Sequence, residues 1–528
     1  MKRSIVLCVV ISLLIVGCGG GSRGNSREGT IVAPATPEVT VGSQEPSVEA
    51  MDESSAADTV VVLVPQTVET LDPYLMTTVN PEDSVAVHIW DTLIWINDDL
   101  TLEPRLAESW RQINDTTWEF KLREDATFHD GEPFDAAAVK FSIERAAQLE
   151  GGVETFASDV DLRQVQIVDD YTVHLVVGEP NASVPYRLAS VEMLPPAHYG
   201  SGAEDVTPVG SGPYQFLRQE SDGSVVLEAN PDYWQGPPVL PILVFRPVED
   251  PALRVKHLIE GEAHLISGLS PDHIGMLETD DTRVEIVEST RRLFVGMRAD
   301  TDGALADKRV RQALNYAVDV DILIDELAGG YGQRYGSWVN PPHDLDTLAP
   351  WPYDIEKAIE LLAEAGYPDG FPIALDIPTG RYYQDQAIAY AVAKQLAEVG
   401  IEVQVQPYEW SVYVRDRLIP KETAPLFLLG LSSRGNGLED VANLAVDFPF
   451  NPTRWHNVEF ERLVAEAYAT FNESQRQALL EQAQAIAYEE APWIWLWRPY
   501  DFYGLASWLD WKPRPDGLIS LYKPVVSE

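Results

Sequence analysis

Residue types that carry out hydrolysis occur throughout this 528-residue sequence, but never at the spacing the chemistry needs. No G-x-S-x-G elbow presents a serine, no H-E-x-x-H sets two imidazoles one helical turn apart, and no C-x-x-C offers a dithiol. His257, His264 and His273 lack the i, i+4 spacing that puts two ring nitrogens on one helical face, so no metal role is assigned to them. The 83 acidic residues would allow a carboxylate pair for glycoside cleavage, yet no spacing singles one out. What remains is binding chemistry. Arg381 follows a predicted strand over 373–377, and Arg434 follows another over 426–431. A guanidinium at either place attracts a carboxylate, bidentately where geometry permits, and repels an ammonium. Tyr382, Tyr383, Trp410 and Trp497 are candidate walls, offering apolar area with few rotors; Trp493 and Trp495 read as core.

The elements around these residues read as an α/β lobe. A strand over 373–377, a helix over 385–399 stopped by Gly400, and a strand over 401–405 make a βαβ unit. Ligands of open α/β sheets bind beyond the carboxyl ends of the strands, which directs attention to Arg381–Tyr383, Trp410 and Ser432–Arg434. Two amphipathic helices, 457–469 and 473–490, precede Trp493–Trp497, which alternates like a strand. Earlier in the chain, 60–64 is an apolar strand, 85–94 has helical spacing of apolar residues, and Asp135 is the predicted N-cap of a helix over 136–147. Gly366 is placed to stop a helix that begins near Tyr353. The stretch Val209–Arg246 organises the first half: a tight Gly210-Ser211-Gly212 turn expected to use positive φ, a hairpin, then an Asn230–Trp234 turn and a short strand over 242–245.

Composition narrows the class. Hydrophobic content of 45% with 14 Trp and 21 Tyr supports a large core, and the length allows two or three domains. A net charge of −45 excludes nucleic acid as a natural partner, because phosphates need Lys and Arg to neutralise them. Both cysteines, Cys8 and Cys18, fall in the leader, so the folded part has neither a disulfide nor a thiolate metal site. Lys2 and Arg3 precede an apolar run over 5–16, of secretory-signal length and too short to span a bilayer. Residues 19–58 lack the apolar density to offset ordering entropy and read as a flexible tether.

Several motifs carry a resemblance. Gly210-Ser-Gly-Pro-Tyr214, Asn230-Pro-Asp-Tyr-Trp234, Pro104-Arg-Leu-Ala-Glu-Ser-Trp110, Phe128-His-Asp-Gly-Glu-Pro-Phe134 and Asp307-Lys-Arg-Val-Arg-Gln-Ala-Leu-Asn-Tyr-Ala-Val-Asp319 resemble the signatures of the family 5 extracellular solute-binding proteins, components of bacterial ABC importers. Leu14-Ile-Val-Gly-Cys18 resembles a lipobox, with Ile15 where Leu is commoner. The resemblance implies a two-lobed periplasmic-binding-protein fold of class II type that closes on a central cleft. Lobe I would comprise 59–78, 206–292 and 498–528, with an extra subdomain over 79–205, and lobe II 293–497. It implies no enzymatic activity and no cofactor. Its partners are a peptide, glutathione or similar small molecule and the permease subunits. It also implies a monomer lipidated at Cys18, on the outer face of the cytoplasmic membrane or in the periplasm.

Tyr74 and Thr77 lie where the family's first lobe meets its ligand, and Arg298 takes a crossover position where many relatives carry Asn. Peptide-binding members place an Asp, soon after the last strand of the second lobe, on the ligand's ammonium. Here that segment is Ser432-Ser433-Arg434, so ammonium capture requires Glu439 or Asp440 as a substitute. Arg298, Arg381 and Arg434 together point to a ligand with an anionic group. A secreted hydrolase and a ligand-presenting sensor are the alternative readings. The basic run Lys308, Arg309 and Arg311 reads as a solvated or salt-bridged helix face rather than a phosphate site.

Overall fold

The apolar run Thr59–Val64 becomes the strand about which the first sheet is built, buried on both faces as a central parallel strand must be. It pairs in parallel with Ile242–Pro247 on one side and with Leu265–Ile266 on the other. The full order is Thr282–Glu288, Trp497–Ala506, Leu265–Ile266, Thr59–Val64, Ile242–Pro247, Val225–Ala229 and Tyr214–Gln219, with Gly332–Arg334 pairing onto Trp497–Ala506 as the eighth strand. This computed structural model describes residues 59–76, 82–148, 162–200, 207–300, 303–448, 451–522 and 525–526. The leader with Cys18, the tether and Thr77 lie outside the described residues.

A second sheet has five strands in the order Ile401–Glu409, Phe371–Thr379, Leu426–Leu431, Arg292–Met297 and Trp493–Trp495. Apolar clusters cover both its faces, one around Val310, Leu314 and Ile388, the other around Trp338, Phe460 and Trp493. A third, antiparallel sheet of four strands runs Ala107–Asn114, Thr117–Leu122, Thr172–Val177 and Leu162–Asp169. Its strand Thr117–Leu122 buries Trp118, Phe120 and Leu122 while Lys121 faces water, the alternation of a one-sided sheet. The chain crosses from the first sheet to the second between Glu288 and Arg292, touches the first again at Gly332–Arg334, and returns to it between Trp495 and Trp497. The expected continuous strand over 493–497 is therefore two strands broken at Leu496, and the break is the return crossing.

Local chemistry sets the other boundaries. Asp135 accepts from the Ala137 and Ala138 amides at 2.8 and 3.0 Å and caps helix Ala136–Gln148. Gly366, at φ +93°, ends helix Ile355–Glu364 in a Schellman arrangement: its amide reaches the Ala363 carbonyl at 3.0 Å and that of Tyr367 reaches Leu362 at 2.8 Å. Two expectations fail. The helix over 85–94 is Glu82–Ile89 only, because from Asp91 onward the backbone bonds sideways, with Met193 and Arg105 donating to the Asp91 and Leu93 carbonyls. An apolar run buried all round looks the same in either conformation. Gly210 and Gly212 do not use positive φ. They let the turn sit against the end of that helix, where a Cβ would lie 2.0 Å from the Ile89 carbonyl oxygen and 2.5 Å from that of His88.

His88 in that helix is fully buried between Tyr214 and Phe245. Its Nδ1 lies 2.6 Å from the Ser84 carbonyl, which can only accept, and its Nε2 takes the Leu521 amide at 3.0 Å, which can only donate. The ring is thereby fixed neutral, and burial lowers its pKa to about 4. The ordinary value of about 6.5 applies to the unfolded chain, so this stabilisation is complete above that pH and is lost as pH falls toward 4, by on the order of 3 kcal/mol. Thermal unfolding between pH 7 and 4 should show this component in the native protein and lose it in His88→Gln; equal pH slopes would refute the assignment.

Candidate ligand-binding site

Three strands of the second sheet end on one edge. Phe371–Thr379 is parallel to Ile401–Glu409, with Thr379 opposite Glu409, and parallel to Leu426–Leu431, with Leu375 opposite Leu426. Their carboxyl ends deliver residues 380–383, Trp410 and 432–436 to that edge. The antiparallel strand Arg292–Met297 enters there, Arg292 lying opposite Leu431. Arg298 does not share this edge, since Met297 pairs with Leu426 at the far end of the strands. At about 3.3 Å per residue, Arg298 stands roughly 20 Å from Arg292. Its guanidinium donates to the Thr423 carbonyl at 2.8 Å and lies 3.5 Å from Asp300, so it secures a loop at the opposite end of the sheet.

Buried Asp385 shapes the first loop: the amides of Arg381 and Tyr382 donate to its Oδ2 at 2.9 and 3.3 Å. The Arg381 side chain is left free of that task and lies over the Trp410 ring at 4.8 Å. Tyr382 is buried, its hydroxyl accepting from the Gly430 amide at 2.8 Å, so it is a floor rather than an exposed wall. Tyr383 is exposed and donates to Asp272 of the first lobe at 3.1 Å.

The second loop crosses to the other lobe as well. Arg434 donates to Ser190 Oγ at 2.7 Å and pairs with Asp83. Ser433 is buried and braced by Thr290, whose hydroxyl donates to the Ser433 carbonyl at 2.8 Å; Ser432 is exposed. The proposed ammonium substitutes are otherwise engaged. Glu439 pairs with Arg187 at 2.6 Å, and Asp440, 2% exposed, lies 3.0 Å from the buried Arg292, though not in line for a hydrogen bond. Asp440 also accepts from the Asn340 amide at 3.1 Å, so its carboxylate belongs to the core. Trp497, 2% exposed, is core too, within the cluster that holds Ile324 and Leu496. Both differ from expectation for one reason: strand alternation and helix direction turn these side chains inward.

On the first-lobe side Tyr74 donates to the Glu192 carbonyl at 2.5 Å and carries Arg145 over its ring at 5.1 Å. Glu192, absent from the sequence-based candidates, is half-buried; burial first, and then the charge of Asp83, push its carboxyl up to about 8. It is therefore protonated at neutral pH and costs little as a neutral group. Elsewhere, His264 accepts from the Val61 amide at 3.0 Å and His273 from that of Ser270 at 3.2 Å, both structural tasks. His257, Glu260 and Glu262 bring ligand atoms within 4.8 Å of one another at the exposed end of helix Pro251–Ile259.

Residues 101–442 match the model of the bacterial extracellular solute-binding proteins, family 5. The chain belongs to that family. The glutathione-binding protein GsiB of Pectobacterium atrosepticum is 31% identical over 465 residues, covering 84% of this chain and 88% of its own. Among solved structures, HbpA2 from Haemophilus parasuis superposes with a TM-score of 0.78 at 23% identity, over 89% of this chain and 100% of its own. The periplasmic binding protein DppA from Helicobacter pylori, in complex with the peptide STSA, gives 0.75 at 23% identity, over 89% and 98%. This family 5 chain thus has the two-lobed fold, and at the edge just described Tyr383 and Arg434 reach across to Asp272, Ser190 and Asp83. Arg291, Glu192 and Asp83 lie beside the residues of this edge and were not among the sequence-based candidates. For Arg291 a signal existed: an Arg-Arg pair directly before an apolar strand, at a lobe crossing, must send its two side chains to opposite faces.

Proposed function

We propose that this protein captures a small organic solute bearing at least one anionic group and hands it to an ABC permease without altering it. The observation that carries the reading is Arg381: its Nε is buried and without a partner, on the edge of the second lobe that faces the first. Burial holds its guanidinium below the ordinary value, as expected of a cation awaiting an anion. The GsiB relatives bind glutathione by name, and a tripeptide with two carboxylates suits such a site. Ligand touching both lobes would stabilise the closed arrangement, and the permease would read closure; a swing from mostly open to mostly closed takes about 5.5 kcal/mol of differential affinity. The chain reads as a monomer of two lobes, 59–292 with 498–528 and 293–497, tethered through 19–58 to a lipid on Cys18. Among the described residues no helix is long and apolar enough to cross a membrane; what supports the lipid anchor is the lipobox-like Leu14–Cys18 segment.

Titration calorimetry with glutathione and a short-peptide pool, followed by mass spectrometry of the recovered solute, tests this reading. Stoichiometric retention of intact ligand supports it. Turnover would make the protein a hydrolase, and indifference to all anionic solutes would remove the reading.

A further inference from the structure

Most arginines of this acidic chain are matched to a carboxylate: Arg105 to Asp91, Arg145 to Asp72, Arg187 to Glu439, Arg434 to Asp83 and Arg514 to Asp516. Arg291 and Arg381 are not. Among the described residues neither guanidinium has a carboxylate within 4.0 Å. They are nevertheless neighbours. Arg291 lies in the first crossing and runs over Gly430, where a Cβ would stand 3.2 Å from Arg291 Cδ and 3.0 Å from Tyr382 Cε1. Tyr382 separates Gly430 from Trp410, its ring 6.4 Å from the indole that Arg381 covers. The Arg291 charge adds to burial in disfavouring the Arg381 cation.

Two like charges in a partly desolvated pocket oppose each other in the empty protein, and an anion placed between them reverses the sign of the interaction. We infer that Arg291 and Arg381 together form a two-guanidinium receptor for a ligand carboxylate, with Gly430 leaving the room, Trp410 walling it and Tyr382 as its floor. The inference rests on the anion-binding reading of Arg381 and adds Arg291 as the second specificity-determining cation. A planar carboxylate suits two planar guanidinium groups, each able to donate to one of its oxygens. Arg291 comes from the crossing and Arg381 from the body of the second lobe, so a carboxylate held by both also fastens the crossing to that lobe.

The test is calorimetry with glutathione and with di- and tripeptides, each as the free acid and as the C-terminal amide, against the native protein, Arg291→Met, Arg291→Lys and Arg381→Met. The expected result is a native preference for the acids that Arg381→Met abolishes. Arg291→Met should weaken the acids by about tenfold or more and leave the amides unchanged. Arg291→Lys should recover part of the loss. Ligand-free Arg291→Met should melt at or above the native temperature, because a like-charge opposition is gone. If Arg291→Met binds the acids like the native protein while Arg381→Met does not, the Arg291 proposal falls and the Arg381 reading stands. If Arg291→Met melts lower and loses acids and amides equally, Arg291 is scaffold and the proposal falls. If the native protein does not favour acids over amides, both readings fall.

Discussion

Exchanging Arg381 for glutamate is expected to cut affinity for an anionic solute by at least a hundredfold while leaving the fold intact. Losing a charge-assisted hydrogen-bond donor costs about 1.5–3 kcal/mol, and the new carboxylate would face the ligand's own. A hundredfold corresponds to about 2.7 kcal/mol, which these two effects together reach. Folding should be indifferent, because it is the backbone amides of Arg381 and Tyr382, not the guanidinium, that Asp385 holds. The new acid would even answer the local excess of cations around Arg291. Calorimetry beside circular dichroism checks both halves. A binding loss below threefold in a folded variant would take Arg381 out of the site, and a parallel loss of fold would make it structural.

The sequence was informative about the fold because its recognisable motifs are the hydrogen-bonding parts of the scaffold. The Asn230 side chain donates to the Gly212 carbonyl at 3.1 Å, tying the two ends of the organising stretch together. Asp307 caps helix Lys308–Tyr316 by accepting from the Arg309 amide at 2.9 Å, and Asn315 in the same motif bridges to Trp493 and Trp495 at 2.8 and 3.1 Å. Its basic run pairs as a helix face would, Lys308 with Glu489, Arg309 with Asp307 and Arg311 with Glu490. The site was less legible. Whether an arginine meets a ligand or a carboxylate of its own chain depends on partners hundreds of residues away, as with Arg434 and Asp83 or Arg187 and Glu439. Arg298 and Arg381 looked equivalent as residues, and only strand register assigns them to opposite ends of one sheet. Asp440 and Trp497 looked available because one sequence does not reveal which way a helix or strand turns its side chains.

The motif aromatics lead to the largest effect expected on stability. Asp91 is fully buried where helix Glu82–Ile89 gives way to the third-sheet region. It pairs with Arg105 and accepts from Tyr233 Oη at 3.2 Å and Trp234 Nε1 at 3.0 Å. Burial alone would lower the Arg105 pKa, yet Asp91 holds it above its ordinary value. Asp91→Ala leaves a buried cation without its anion and orphans two aromatic donors, a loss on the order of 3–5 kcal/mol. Urea unfolding at pH 7 should show it as an earlier transition. The decisive comparison is Asp91→Leu combined with Arg105→Met. An apolar pair of similar volume removes the uncompensated charge, so the double variant should regain part of what the single one loses. Tyr233 and Trp234 would then be the only donors left unmet, each costing about 1–3 kcal/mol. If the double variant is no more stable than Asp91→Ala, the motif acts through the aromatic hydrogen bonds and not through the buried charge. If Asp91→Ala loses less than about 1 kcal/mol, water reaches Arg105 and this junction does not join the two regions.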